Sequence, residues 1–160
     1  WRDLFALYNQ IDTVLLGRLN YEGFHSYWPS VANDTSARET DRAFSRWMDD
    51  VPKVVFSRTL KEADWKNSRL AQEDVASEIA RLKQQPGKDM LVMNSTTLAH
   101  SMLEHDLIDE FWLTMQPAAI EEGIPLFKSL RGTLNLKVLE AKNYAGGPMF
   151  VRYGRREESR

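Results

Sequence analysis

Three short stretches of the chain carry side chains suited to holding a phosphorylated ligand. In the first, Gly17, Arg18 and Asn20 follow the apolar run Thr13, Val14, Leu15, Leu16. An apolar run of this length closed by glycine reads as a buried strand, and residues 21–28 read as a short helix ended by Pro29. Strand, glycine turn and helix together aim backbone N–H groups and a helix N-terminus at an anion. Arg18 adds a fixed charge and a fork of donors that matches phosphate geometry. The same spacing also describes an ordinary turn with a solvated arginine, since single-glycine phosphate motifs arise by accident. In the second stretch, Ser57 and Arg58 end the strand predicted for 53–57, and in an open α/β sheet ligands bind at strand C-termini. In the third, Asn94, Ser95, Thr96 and Thr97 follow the apolar strand 90–93 and lead into a helix through Leu98, Met102 and Leu103. Hydroxyls at a helix start suit a pyrophosphate, and they suit plain N-capping equally well.

Other chemistries find less footing. The 160 residues include no cysteine, which removes thiolate nucleophiles, thiolate metal sites and a disulfide framework. His25 is isolated, and His100 and His105 stand five apart, off a common helix face, so no metal site is expected. A net charge of −2 gives no reason to expect nucleic acid or an anionic membrane as partner. No apolar run approaches the roughly 18 residues of a membrane span, and no signal peptide pattern is visible. A cytoplasmic protein is the expectation.

The elements that must position these residues follow from periodicity. At 42% hydrophobic content the chain can bury a core, and its length fits one domain. Residues 1–10 show a helical pattern, with Asp3 in its first turn, where a carboxylate favours the helix dipole. The polar run 33–36 suits a helix cap, ahead of a helix over 37–50 with Ala43, Phe44, Trp47 and Met48 on one face. Residues 72–85 form an amphipathic helix on Val75, Ile79 and Leu82, stopped by Pro86 and Gly87. A strand ending at Pro117 and two strands over 133–143 and 149–153, joined through 144–148, complete the chain; the last two read as an antiparallel hairpin at the sheet edge. The alternation indicates an α/β domain, a largely parallel sheet with an antiparallel edge and helices on both faces.

The string VLLGRLNYEGF at 14–24 resembles the second strand and following turn of the dihydrofolate reductase superfamily. The chain is most similar to the branch related to the C-terminal reductase domain of the riboflavin-biosynthesis deaminase/reductase. VVFSRTL at 54–60, ADW at 63–65, LIDE at 107–110 and GIPLF at 123–127 carry the resemblance on to about Tyr153. It implies a dihydrofolate-reductase-like three-layer αβα sandwich whose first strand and loop, about two dozen residues, would precede Trp1.

The resemblance also implies NADPH as cofactor. Gly17, Arg18 and Asn20 would contact its phosphates; Ser57 and Arg58 would take the 2′-phosphate; Asn94, Ser95, Thr96 and Thr97 would receive the pyrophosphate. Phe24 and Asp3 would face a small-molecule substrate, although Phe24 is also a plausible core aromatic and Asp3 a plain first-turn acid. Three departures stand out. Asn20 replaces a common threonine. Asn94 and Ser95 stand where relatives have Gly-Gly or Gly-Ser, and asparagine tolerates positive φ better than most residues. Glu121 and Glu122 also replace glycines, and two carboxylates near a phosphate would repel it. The implied activity is an NADPH-dependent reductase acting on a pterin-, pyrimidine- or carbonyl/imine-type substrate. The alternative is a binding or interaction domain that kept the fold and lost the chemistry. A homodimer is expected from the resemblance and from the apolar side chains Phe111, Trp112, Met149, Phe150 and Tyr153.

Overall fold

In the computed structural model, residues 6–128 and 130–156 are described. The chain divides into two compact units, Trp1–Ala99 and His100–Arg160. Strand β1 (Ile11–Gly17) is the centre of the first. Its Val14, Leu15 and Leu16 are fully buried, as a strand flanked on both sides must be. Parallel strands β2 (Lys53–Phe56) and β4 (Asp89–Val92) pair with it on either side, and β3 (Ser68–Leu70) adds to β2, giving the order β3-β2-β1-β4.

Helix α1 (Arg18–Val31) starts directly at the end of β1, with Gly17 as its N-cap residue. It runs through Pro29 instead of stopping there. Proline in the last turn costs a single backbone bond, to the carbonyl of residue 25. Val31 is buried beyond it, and the Trp28 carbonyl accepts a 2.6 Å bond from Ser45 Oγ, so this end is held in place. The polar run 33–36 does not cap the next helix, as its sequence suggested. Asp34 accepts the Ser36 N–H and hydroxyl within a turn, and α2 (Glu39–Asp50) begins later without a side-chain cap. Glu39 and Asp41 in its first turn supply the negative charge that favours the dipole. Phe44 and Met48 are buried; Trp47 stacks on Tyr8 at 4.5 Å, and Phe44 meets Trp28 edge-on at the same distance.

At the other end of α2, Lys53 is buried and donates to the Met48 and Val51 carbonyls at 2.6 and 2.9 Å. Its ammonium lies over the Trp65 ring at 4.7 Å. A cation on the last carbonyls of a helix is favourable, yet burial opposes its charge and pulls Lys53 down to about 8. Helix α3 (Val75–Lys83) is capped by Asp74, which accepts the Ser77 N–H at 3.0 Å. Its buried Glu78 accepts from Arg69, Arg81 and the Gln72 N–H. Burial pushes that carboxyl up, but these donors outweigh burial and hold it below its ordinary value.

Helix α4 (Thr96–Glu104) leads from the first unit into the second. There β5 (Glu110–Met115), β7 (Met149–Arg155) and β6 (Leu136–Asn143) form an antiparallel sheet in the order β5-β7-β6. The hairpin between β6 and β7 closes with Tyr144 N–H on the Pro148 carbonyl at 2.9 Å. Gly146 and Gly147 have φ of 95° and 103°, which side-chain-bearing residues rarely adopt. The α/β class and the C-terminal hairpin are as the sequence indicates; the strands form two hydrogen-bonded ladders, four parallel and three antiparallel, rather than one continuous ladder. No helix among the described residues is long and apolar enough to cross a membrane.

Candidate functional site

Because β1, β2 and β4 are parallel neighbours, their C-terminal ends lie at one sheet edge. Gly17 is opposite Phe56, one residue before Ser57, and Leu15 is opposite Val92, two before Asn94. All three candidate stretches therefore meet at the edge where open α/β sheets bind ligands.

The Gly17 N–H is donated to Ser95 Oγ at 2.9 Å. Ser95 is buried and in turn donates to the Met93 carbonyl at 3.1 Å, which also accepts from Asn20 Nδ2 at 3.1 Å. Gly17, Asn20 and Ser95 thus clip the ends of β1 and β4 together. The Ser95 carbonyl accepts the Ala99 N–H at 2.8 Å as α4 begins. A Cβ on Gly17 would meet Ser95 at 3.7 Å, ordinary contact, so the glycine is not required by space. Asn94 is exposed at φ 50°, the left-handed conformation that a glycine would take without strain.

Arg18 is partly exposed and pairs with Glu22 one turn on, at 2.7 Å. Its charge is therefore shared, and such an i,i+4 surface pair contributes only about 0.5 kcal/mol. The first N–H groups of α1 have no intrahelical acceptor, and its N-cap residue, Gly17, makes no side-chain cap. Ser57 Oγ accepts the N–H groups of Thr59 and Leu60 at 3.1 and 3.0 Å, so the hydroxyl shapes the turn that carries Arg58. Arg58 is exposed and makes no ion pair among the described residues. Thr96 and Thr97 open α4. Phe24 is half-buried, with its ring edge-on to Trp28 at 6.4 Å. Asp3 lies outside the described residues. Glu121 and Glu122 are exposed in the loop between β5 and β6.

One cluster was not visible in the sequence. The Tyr21 hydroxyl donates to Asp64 at 3.0 Å and accepts the Trp65 N–H at 2.9 Å. Burial pushes the Tyr21 phenol above its ordinary value, and the Asp64 carboxylate adds to that. His25, which the sequence left without a partner, stacks on Trp65 at 5.5 Å and approaches Asp64 at 3.5 Å. Tyr21 and His25 are one turn apart, a pattern that shows a shared face and nothing more. Their partners lie about forty residues on, and no local spacing announces them.

Comparison with known proteins identifies the family and the fold. The family model described as RibD C-terminal domain matches residues 2–150. Two Bacillus subtilis (strain 168) proteins are similar: "Uncharacterized protein YyaP", 30% identical over 145 residues, spanning 91% of this chain and 74% of that protein; and "Uncharacterized protein YwjB", 26% identical over 137 residues, spanning 86% and 70%. Among solved structures, the "Putative riboflavin biosynthesis protein" of Shewanella sp. PV-4 superposes with a TM-score of 0.71 at 22% identity, covering 96% of this chain and 78% of that one, which speaks for the fold. The chain belongs to the RibD C-terminal domain family and has its dihydrofolate-reductase-like fold.

Proposed function

We propose that the protein is an NADPH-dependent reductase of a small pterin-, pyrimidine- or carbonyl/imine-type substrate. The single observation that carries this reading is the meeting of Gly17 and Arg18, Ser57 and Arg58, and 94–97 at one edge of a parallel sheet. The residues fit the nucleotide in two respects. Arg58 is an exposed guanidinium beside a hydroxyl-shaped turn, free to take a 2′-phosphate. The uncapped start of α1 and the left-handed Asn94 offer backbone close to a pyrophosphate.

When bound, the nicotinamide supplies the hydride, and the protein's work is to orient it and exclude water. Arg18 would hold phosphate after giving up Glu22, Thr96 and Thr97 would present the start of α4, and Phe24 would border the substrate. The experiment is to follow NADPH oxidation with dihydropterin, ribosylamino-pyrimidine and carbonyl substrates in turn. Turnover that Arg58→Ala weakens through KM for NADPH supports the reading. No turnover with any of them, together with no nucleotide binding, removes it.

A second reading is favoured by a specific observation. Gly17 N–H, Asn20 and Ser95 are occupied with one another, and Arg18 with Glu22, so part of the donor set is spent on structure. A domain that keeps the fold for binding alone would look this way, and fold does not decide between the two. We also propose that two copies pair. The support lies on the edge strand β6, whose Val138 and Leu139 are exposed, and less on Phe111 and Phe150, which are buried in their own unit.

A further inference from the structure

We propose that Tyr21 is a positioning residue for nucleotide choice: its hydroxyl latches the loop 57–65 onto α1 and so sets where Arg58 stands. This rests on the NADPH reading above. The loop leaves the sheet at β2 and is fixed at its start, where Ser57 Oγ takes two backbone N–H groups. It is fixed again at its end. There the Tyr21 hydroxyl holds Asp64 on one side and the Trp65 N–H on the other, at 3.0 and 2.9 Å. The Trp65 indole is buried and donates to Asp49 at 2.6 Å, so the far anchor is tied to α2 as well. His25 lies flat against the same indole and close to Asp64.

Arg58 stands in the turn that Ser57 shapes, and only exposed Lys61 and Glu62 and half-buried Ala63 join that turn to the Tyr21 anchor. A long side chain on a loop can favour a phosphate only if the loop holds still; otherwise ordering it consumes the gain. Tyr21 lies in the first turn of α1, at the same sheet edge as the candidate phosphate contacts. One hydroxyl therefore links the helix start to the turn that would read the 2′-phosphate. Removing it leaves the aromatic ring in its packing place and releases two hydrogen bonds.

The test is Tyr21→Phe, with Asp64→Asn as the milder companion that leaves the Trp65 N–H bond intact. Amide hydrogen exchange of the ligand-free protein is read first over 58–64, then dissociation constants for NADPH and NADH are measured for wild type, Tyr21→Phe, Arg58→Ala and the double variant. The latch requires faster exchange over 58–64 with the core strands β1 and β2 unchanged. It further requires NADPH to weaken by about fivefold, the larger part of the roughly tenfold that one charge-assisted Arg58 contact contributes, with NADH within about twofold. The double variant should then be no weaker for NADPH than Arg58→Ala alone, because both changes remove one contribution. Unchanged exchange in both variants overturns the latch, whatever the nucleotide data. Faster exchange with an unchanged NADPH to NADH ratio overturns the role in nucleotide choice. A wild type with no preference for NADPH overturns the function reading and this role together, while the exchange data still decide whether the latch exists.

Discussion

Replacing Lys53 by methionine should flatten the protein's stability between about pH 7.5 and 9.5. Lys53 is 1% exposed, and burial pulls its ammonium from 10.5 to about 8, with Asp49 and Asp50 opposing the change. In the unfolded chain the amine stays protonated up to about 10.4. Between these values the unfolded state binds more protons than the folded one, so stability must rise with pH. Below about pH 8 both states carry the proton and the penalty for burying the charge is fully in force, about 3 kcal/mol for a depression of this size. From pH 7.5 to 9.5 the wild type should recover about 2 kcal/mol of it. The window is favourable because the other perturbed groups act outside it. Tyr8, pushed by burial to about 12, erodes stability only above about pH 10, where the unfolded phenol ionises first. Lys66 is raised by its pairing with Asp50 and likewise acts at higher pH. The assay is urea unfolding at constant ionic strength, followed by tryptophan fluorescence, with ΔG extrapolated at each pH. Methionine keeps the stem volume and removes the titration, so Lys53→Met should show little slope, whatever its absolute stability with the Met48 and Val51 carbonyls left unmet. A wild-type curve that is flat or falls across this window refutes the reasoning, as does an equal rise in the variant.

Two further outcomes follow from the geometry. Ser95→Ala should cost about 2 kcal/mol in urea unfolding, because the Gly17 N–H loses its acceptor at the junction of β1 and β4; a loss under about 0.5 kcal/mol would mean that the clip carries no weight. If copies pair through β6, light scattering at tens of micromolar should give the mass of two chains, and Val138→Lys should return it toward one; a wild-type monomer removes the pairing proposal.

Much of the fold could be read from pattern. The run 13–16 with its glycine is a strong strand signal, and burial of Val14, Leu15 and Leu16 is what such a run requires in a central position. Strand β3 was invisible: Ser68, Arg69 and Leu70 show neither alternation nor an apolar run, and the strand exists because β2 offers a free edge. Pro29 misled because the rule for proline assumes a helix interior, while here it falls in the last turn with Val31 buried beyond it. The burial of Lys53 was unreadable because it depends on the C-terminal carbonyls of α2, which only the folded packing brings to it. The candidate site was half legible. Residue types and strand ends gave Gly17, Arg18, Ser57, Arg58 and 94–97; which donors are already spent, and that Tyr21 ties the Arg58 loop to α1, required contacts between residues far apart in sequence.

The most direct measurement is calorimetric titration of the protein with NADPH and with NADH at low salt. An exposed arginine facing a 2′-phosphate should contribute at least about 1.5 kcal/mol, so NADPH is predicted to bind about tenfold more tightly than NADH, with Arg58→Ala erasing most of the difference. Equal affinity for the two nucleotides would contradict the assignment of Ser57 and Arg58, and no heat with either at millimolar concentration would contradict the reductase reading itself.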